Sequence, residues 1–211
     1  MVNERLDYNF VIGVAAMEGR GFYYPVDVAV APDDKLFVLG RGHDGDPRGV
    51  QILMCDIESE YYGVFSSHGS DDGQFIWPTS ISISGDGLIY VTDEYLNRIS
   101  IFDLDGKFVR KWESGNGSGV KLLKPAGIAT DKENSVWVVD NGASNIKKVS
   151  PQGETLLEFG ELGDGQGQFN MPWGITISNS GDVYVADWGN DRIQKFTNTG
   201  EFIGEYGNDY S

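Results

Sequence analysis

Apolar and polar residues alternate in short runs along this chain, and the three- and four-residue spacing of an amphipathic helix does not develop. Val28/Val30, Ile81/Ile83, Ile128/Thr130 and Ile175/Ile177 each place two side chains on one face of a short strand. A second set, at 36–38, 89–91, 136–138 and 183–185, is built from Leu, β-branched and aromatic residues, the composition that strands favour. Between the two sets lie polar clusters at 32–34, 85–87, 131–134 and 179–182. Such clusters mark hairpin connections, so the paired strands are predicted to be antiparallel. Third strands are predicted at 99–102, 146–149 and 193–196, and fourth strands at 108–112, 155–159 and 202–206.

These elements recur at a fixed period. Pro25, Pro78, Pro125 and Pro172 are 53, 47 and 47 residues apart, and each follows a large apolar residue by three positions: Phe22, Phe75, Leu122 and Phe169. Gly106, Gly153 and Gly200 share one offset from their prolines, where a two-residue turn with positive φ is predicted. The first unit carries six extra residues within 40–49, assigned to one loop, after which Ile52 and Tyr61 take the places of Ile99 and Phe108. Four short antiparallel strands repeated about every 45 residues is the arithmetic of a β-propeller blade. The expected fold is therefore all-β, a single propeller domain: blades at 25–77, 78–124, 125–171 and 172–211, preceded by an outer strand of a partial blade and a connection within 1–24.

Composition narrows the functional classes. The 211 residues include 29 Gly, about twice ordinary usage, and the 12% aromatic content speaks against disorder. Sixteen Lys plus Arg against 32 Asp plus Glu give a net charge of −16, which disfavours nucleic acid and anionic membrane as partners. The single Cys55 sits in an apolar run, reads as a small core residue, and excludes an intrachain disulfide or a Cys-based zinc cluster. Neither an apolar leader nor a run of about 18 apolar residues occurs, so the chain reads as soluble, and as cytoplasmic if Met1 is the natural start.

The most regular stretch runs from Pro172 through Gly174-Ile175, the Gly181 turn, Tyr184-Val185-Ala186-Asp187 and Asn190-Asp191-Arg192-Ile193 to Phe196, and it resembles the NHL repeat. The pattern returns from Pro78 to Phe102, with Asp93 and Asn97-Arg98-Ile99, and more loosely from Pro125 to Val149, with Asp140. In the first unit Gly40 stands for the Asp and Gln51 for the Arg. The resemblance implies an NHL-type ring, six-bladed in the family, acting as a recognition platform. Six units of this size need about 280 residues, so the chain is expected to be part of a longer ring, a homo-oligomer that completes its ring with a second copy, or a closed four-bladed monomer.

Several side chains offer chemistry. Asp93, Asp140 and Asp187 end their second strands, with Arg98 and Arg192 five residues on. A ring of these carboxylates would suit calcium; recurrence in blade after blade instead favours turn N–H acceptance or pairing with the Arg on the adjacent strand. His43 and His68 are expected on one face, able to share a ligand or a zinc ion with Asp44 or Asp46. Trp77, Trp173 and Trp188 are expected beside them as anchors for a peptide, a carbohydrate or a partner domain, or as plugs between blades.

The resemblance extends to peptide-amidating lyases, which place zinc-binding His directly after the blade prolines. Here those positions are Val26, Thr79, Ala126 and Trp173, which speaks against that activity. No nucleophile elbow accompanies either His. The leading expectation is a non-enzymatic scaffold that binds a protein or small ligand on its loop-rich face. The alternative is a metal-dependent enzyme of the lyase or lactonase type, with calcium or zinc as candidate cofactors and none required by the sequence.

Overall fold

The computed structural model describes residues 21–43, 45–58, 60–114 and 120–207, so the strand expected within 1–24 and Asp44 lie outside the described residues. Among the described residues, four four-stranded antiparallel sheets follow one another, each wound in chain order. The first blade comprises β1 (Pro25–Val30), β2 (Leu36–His43), β3 (Asp46–Cys55) and β4 (Tyr61–Phe65). The second comprises β5 (Pro78–Ile83), β6 (Leu88–Asp93), β7 (Arg98–Asp103) and β8 (Phe108–Glu113). The third comprises β9 (Pro125–Thr130), β10 (Val136–Asp140), β11 (Asn145–Val149) and β12 (Thr155–Phe159). A short parallel pair, β13 (Glu161–Leu162) with β14 (Gln168–Phe169), leads into the last blade. That blade comprises β15 (Pro172–Ile177), β16 (Val183–Asp187), β17 (Arg192–Phe196) and β18 (Phe202–Tyr206). The first strands β1, β5, β9 and β15 lie side by side and line one shared concavity of about 510 Å³.

Alternation along the strands assigns each blade two packing faces. Phe37, Leu39 and Ile52 of the first blade meet Ile89, Val91 and Phe102 of the second. Tyr90, Ile99 and Trp112 on the second blade's other face meet Val136, Val138 and Val149. Trp137, Val139 and Ile146 then meet Val183, Val185 and Phe196. Each fully buried Phe, Ile or Val in these seams contributes about 1.5–3 kcal/mol. Polar bonds fix the inner strands: Asp27 accepts from Ser80 Oγ (2.6 Å) and Ile81 N (2.9 Å), and Thr92 Oγ1 donates to the Ala126 carbonyl (2.6 Å).

Turn chemistry accounts for the sharp connections, with one correction to the expected turn. Gly106, Gly153 and Gly200 have φ of 78°, 93° and 83°. They occupy the third place of a three-residue loop, closed by bonds such as Gly106 N to Asp103 O and Asp103 N to Lys107 O (both 3.0 Å), and not of a two-residue turn. A type I turn followed by one left-handed residue gives this geometry and shifts the register next to it, as seen between Ile101 and Phe102. The glycine also admits a neighbour: a Cβ on Gly106 would lie 2.6 Å from the Phe65 ring of the preceding blade.

The insertion in the first blade is likewise not a loose loop. It prolongs β2 and β3 as a paired ribbon, with Arg41 opposite Val50 and His43 opposite Asp46. Two glycines leave room at its base: a Cβ on Gly40 would come within 2.2 Å of the Gly49 carbonyl oxygen, and one on Gly49 within 2.4 Å of the Tyr23 ring.

Two measurements test this packing. Trp137, buried in the third seam, should lose about 3–5 kcal/mol on Trp137→Ala in urea unfolding, whereas exposed Leu156→Ala should stay within about 0.5 kcal/mol. Burial would raise the Asp131 carboxyl, but Trp137 Nε1 (2.9 Å), Lys148 (3.0 Å) and Ser135 N (2.8 Å) outweigh it and hold the group below the usual range. A depressed carboxyl stabilises the fold above its unfolded-state pKa and loses that contribution as pH falls through the folded-state value. The stability gap between the wild type and Asp131→Asn should therefore be full at neutral pH and close in acid, read from urea midpoints across the pH range.

Candidate functional site

Where the prolonged β2–β3 ribbon leans over the connection into the second blade, it forms a cleft of about 600 Å³. Arg41, His43, Asp46, His68, Ile76 and Trp77 are among its lining residues. Gly42, at φ 72°, lets the ribbon bulge between Arg41 and His43 and so sets the tip over the cleft. His68 is placed by the connection itself, which bridges to Phe75 and is tied by Gly69 N to Phe75 O (2.8 Å).

The walls of the cleft are braced by charge and ring contacts. The Arg41 guanidinium donates to Glu94 Oε1 and lies 5.6 Å from the centre of the Trp77 ring. Trp77 in turn meets Tyr95 edge-on at 5.4 Å. Tyr24 packs against His43 with ring centres 5.1 Å apart, and Tyr23 meets Tyr24 edge-on. Asp46 receives Arg48 Nη2 (2.6 Å), Arg48 Nε (2.8 Å) and the Tyr23 hydroxyl (2.8 Å). Arg48 first and Tyr23 second hold the Asp46 carboxyl well below the usual range, and the same hydrogen bond raises the Tyr23 phenol. The cleft thus combines a fixed carboxylate, a braced guanidinium, two imidazoles and a half-exposed indole. Such a set can hold a ligand that has both polar and flat apolar parts.

The structure divides the remaining expected site residues. Trp173 and Trp188 do not join Trp77. They line a separate hollow of about 770 Å³ on the last blade, with Ile193 and Tyr206.

The strand-end carboxylates have a common geometry. Asp93 accepts four backbone N–H groups, from Ile76 (2.7 Å), Trp77 (3.3 Å), Tyr95 (3.0 Å) and Leu96 (2.9 Å). Asp140 accepts Leu123 N (2.8 Å) and pairs with Lys147. Asp187 accepts Asn170 N (2.7 Å), Asn190 Nδ2 (2.8 Å), Arg192 Nε (2.8 Å) and Gln194 Nε2 (3.2 Å). Each carboxylate pins the chain entering its blade to the end of the second strand.

The Arg side chains clamp the same connections. Arg98 reaches the carbonyls of Ser70, Asp71 and Gln74, and Arg192 those of Gly165 and Gln168. Among the described residues, no group of three or more His, Cys, Asp or Glu is arranged to hold a metal ion. The Cys55 thiol is buried, and burial raises its pKa.

The Lys147 pairing is a feature that sequence reasoning missed. The position lies two past the usual Arg, on the same face of the strand, where period-two alternation could have located it. The Arg41–Glu94 tie was also unforeseen, because it joins residues 53 apart.

Comparison with known proteins agrees with this architecture. Residues 169–196 match the NHL repeat. A stretch of 57 residues is 40% identical to the RING finger protein nhl-1 of Caenorhabditis elegans, covering 27% of this chain and 6% of that protein. The fold resembles a catalytically inactive H270A virginiamycin B lyase from Staphylococcus aureus solved with quinupristin, at a TM-score of 0.65 and 17% identity over 89% of this chain and 56% of that one. A streptogramin B lyase gives a TM-score of 0.66 and 19% identity, over 88% of this chain and 55% of that one. The chain thus spans about half the length of these solved propeller relatives.

The carboxylate geometry leads to a direct test. Asp187→Ala removes the acceptor of Asn170 N and of Arg192 Nε, while Arg192 keeps Glu205 and two carbonyls, and it should cost about 1–3 kcal/mol in chemical denaturation. Neither calcium nor EDTA should move the wild-type melting temperature; a rise with calcium would place a cation among these carboxylates.

Proposed function

We propose that this chain, an arc of propeller blades carrying the NHL repeat, acts as a non-enzymatic scaffold that binds a protein segment or small ligand in the cleft between its first and second blades. One observation carries the reading: the first blade alone departs from the 47-residue period, and its extra residues build a wall of the cleft. In repeat proteins, insertions in single repeats map to one face, often the binding face. The half-exposed Trp77, held between Arg41 and Tyr95, supplies the flat anchor that hot spots favour.

A second reading, lyase-type or lactonase-type chemistry with zinc or calcium, has one observation in its favour: His43 and His68 line the same cleft. The likeness to the lyases is a likeness of fold, and function resides in the site.

A peptide array probed with the purified chain separates the readings. Peptides retained by the wild type should bind at least about tenfold more weakly to Trp77→Ala and His68→Ala, and equally well to Trp188→Ala, with circular dichroism unchanged in all three. Equal retention by all variants would remove the cleft from the proposal. Tight stoichiometric zinc in the wild type, lost in His68→Ala, would favour the enzyme reading.

A further inference from the structure

The loop-rich face that carries the cleft continues past Trp77 into the third blade. The residues one before the blade prolines are Tyr24, Trp77, Lys124 and Met171, and all four are exposed. Tyr24, Lys124 and Met171 share a left-handed backbone, with φ of 49°, 53° and 52°, so the chain enters these three blades with one local geometry. Trp77 and Lys124 stand at the starts of adjacent first strands, and these starts touch: Thr79 Oγ1 donates to the Pro125 carbonyl (3.2 Å). Asn97 ties the same two blades together, its Oδ1 accepting Lys124 N (2.7 Å). Two residues before Asn97, the Tyr95 ring meets Trp77 edge-on. An aromatic platform of Trp77 and Tyr95 therefore borders the connection into the third blade.

That connection differs from the other two in charge. Residues 66–77 contain Asp71 and Asp72, and residues 160–171 contain Glu161 and Asp164, whereas residues 114–124 contain Lys121 and Lys124 and no acid. Both lysines are exposed, and Leu123 between them is half-exposed. Among the described residues, neither lysine side chain has an ion-pair or hydrogen-bond partner. The other cations of this face are engaged within the chain: Arg41, Arg48, Lys111, Lys147 and Arg192 each hold a carboxylate, and Arg98 holds carbonyls. Glu94 and Glu113, on the flanking loop and strand, are held by Arg41 and Lys111 and leave the two lysines unclaimed. Two such cations beside an aromatic platform match a ligand that carries a carboxylate next to a large apolar group.

The rest of the chain limits how much negative charge that ligand brings. A nucleic acid carries a charge on every residue and meets the full −16 of the protein. One or two carboxylates feel mainly the charges within about 8 Å at physiological salt. The first strands of the second and third blades run within 8 Å of each other. An extended chain advances about 3.3 Å per residue, so the step between them corresponds to about two or three peptide residues.

We infer that the partner of this face is an extended peptide segment with a large apolar residue on the Trp77–Tyr95 platform and an Asp or Glu, about two or three residues away, on Lys121 and Lys124. This assignment rests on peptide binding in the cleft and adds the charge of the peptide. The probes are an array of short randomised peptides and a short fluorescent oligo-uridine. Peptides retained by the wild type should pair an aromatic or large aliphatic residue with Asp or Glu at that spacing. Replacing those acids by Asn and Gln should weaken binding about fivefold. Lys121→Ala/Lys124→Ala should bind the acidic and amide forms alike, and Lys121→Glu/Lys124→Glu should turn the preference to Lys and Arg, with circular dichroism unchanged in both. Retained peptides without acidic enrichment, yet lost in Trp77→Ala, would overturn the acidic partner and leave the cleft standing. Retention indifferent to Trp77→Ala would remove the cleft and this assignment with it. Oligo-uridine bound more tightly than any peptide, and released by the Lys→Ala pair, would overturn the assignment in favour of nucleic acid.

Discussion

The contact between facing sheets governs this molecule. A four-stranded sheet of five- or six-residue strands has two apolar faces and no means of burying either alone. Each blade is therefore stable only against a neighbour, and the residues that achieve this are few: an aromatic or aliphatic pair on the second strand and one large side chain on the third. Phe37 with Leu39, Tyr90, and Trp137 with Val139 perform the same task in successive units. Because the seams couple only neighbours, stability is close to a sum over units and interfaces, as in other repeat proteins.

The carboxylates at the strand ends serve this same constraint. Sheets that pack face to face must also be joined, and the joining segments carry backbone N–H groups that need acceptors. Asp93, Asp140 and Asp187 provide them from below, while Arg98 and Arg192 satisfy the carbonyls of the same segments. In the third unit the cation moves to Lys147, whose shorter hydrogen-bonding reach leaves the connection without the guanidinium clamp. In the first unit Gly40 offers no carboxylate, and the backbone bond from Arg41 N to Tyr24 O (3.1 Å) is joined instead by the Tyr23 hydroxyl on Asp46. Its counterparts are Glu94 N to Trp77 O, Gly142 N to Leu123 O and Gly189 N to Asn170 O. A bond of this kind occurs in all four units, shifted by one residue at each end in the last two, and the side chains reinforce it where the sequence allows.

Much of the fold was legible because its signals are local. Proline phase, strand composition and the turn glycines depend on neighbours within one unit, and the all-β reading with four-stranded antiparallel sheets agrees with the structure. The turn length was misread because a two-residue and a three-residue hairpin both want glycine, and only the register decides between them. The extra residues of the first unit looked like a loop because they are rich in Gly and charge; cross-strand pairing of Arg41 with Val50 makes them a ribbon. For the candidate site, the two histidines and Trp77 were placed together by strand order alone. Trp173 and Trp188 stand apart from them because they belong to the last blade, whereas Trp77 lies between the first and second.

The hairpin that distinguishes the first unit carries an implication for variation and engineering. Its base is held by the close approach of Gly40 to the Gly49 carbonyl and by a ladder that runs on into the blade, and His43 and Asp46 near its tip are tied to Tyr24 and Tyr23. Sequence can be exchanged along that ribbon where His43 and Asp46 are kept, since these two side chains hold it to the connection. The ribbon is thus a port for grafting new recognition elements beside the cleft.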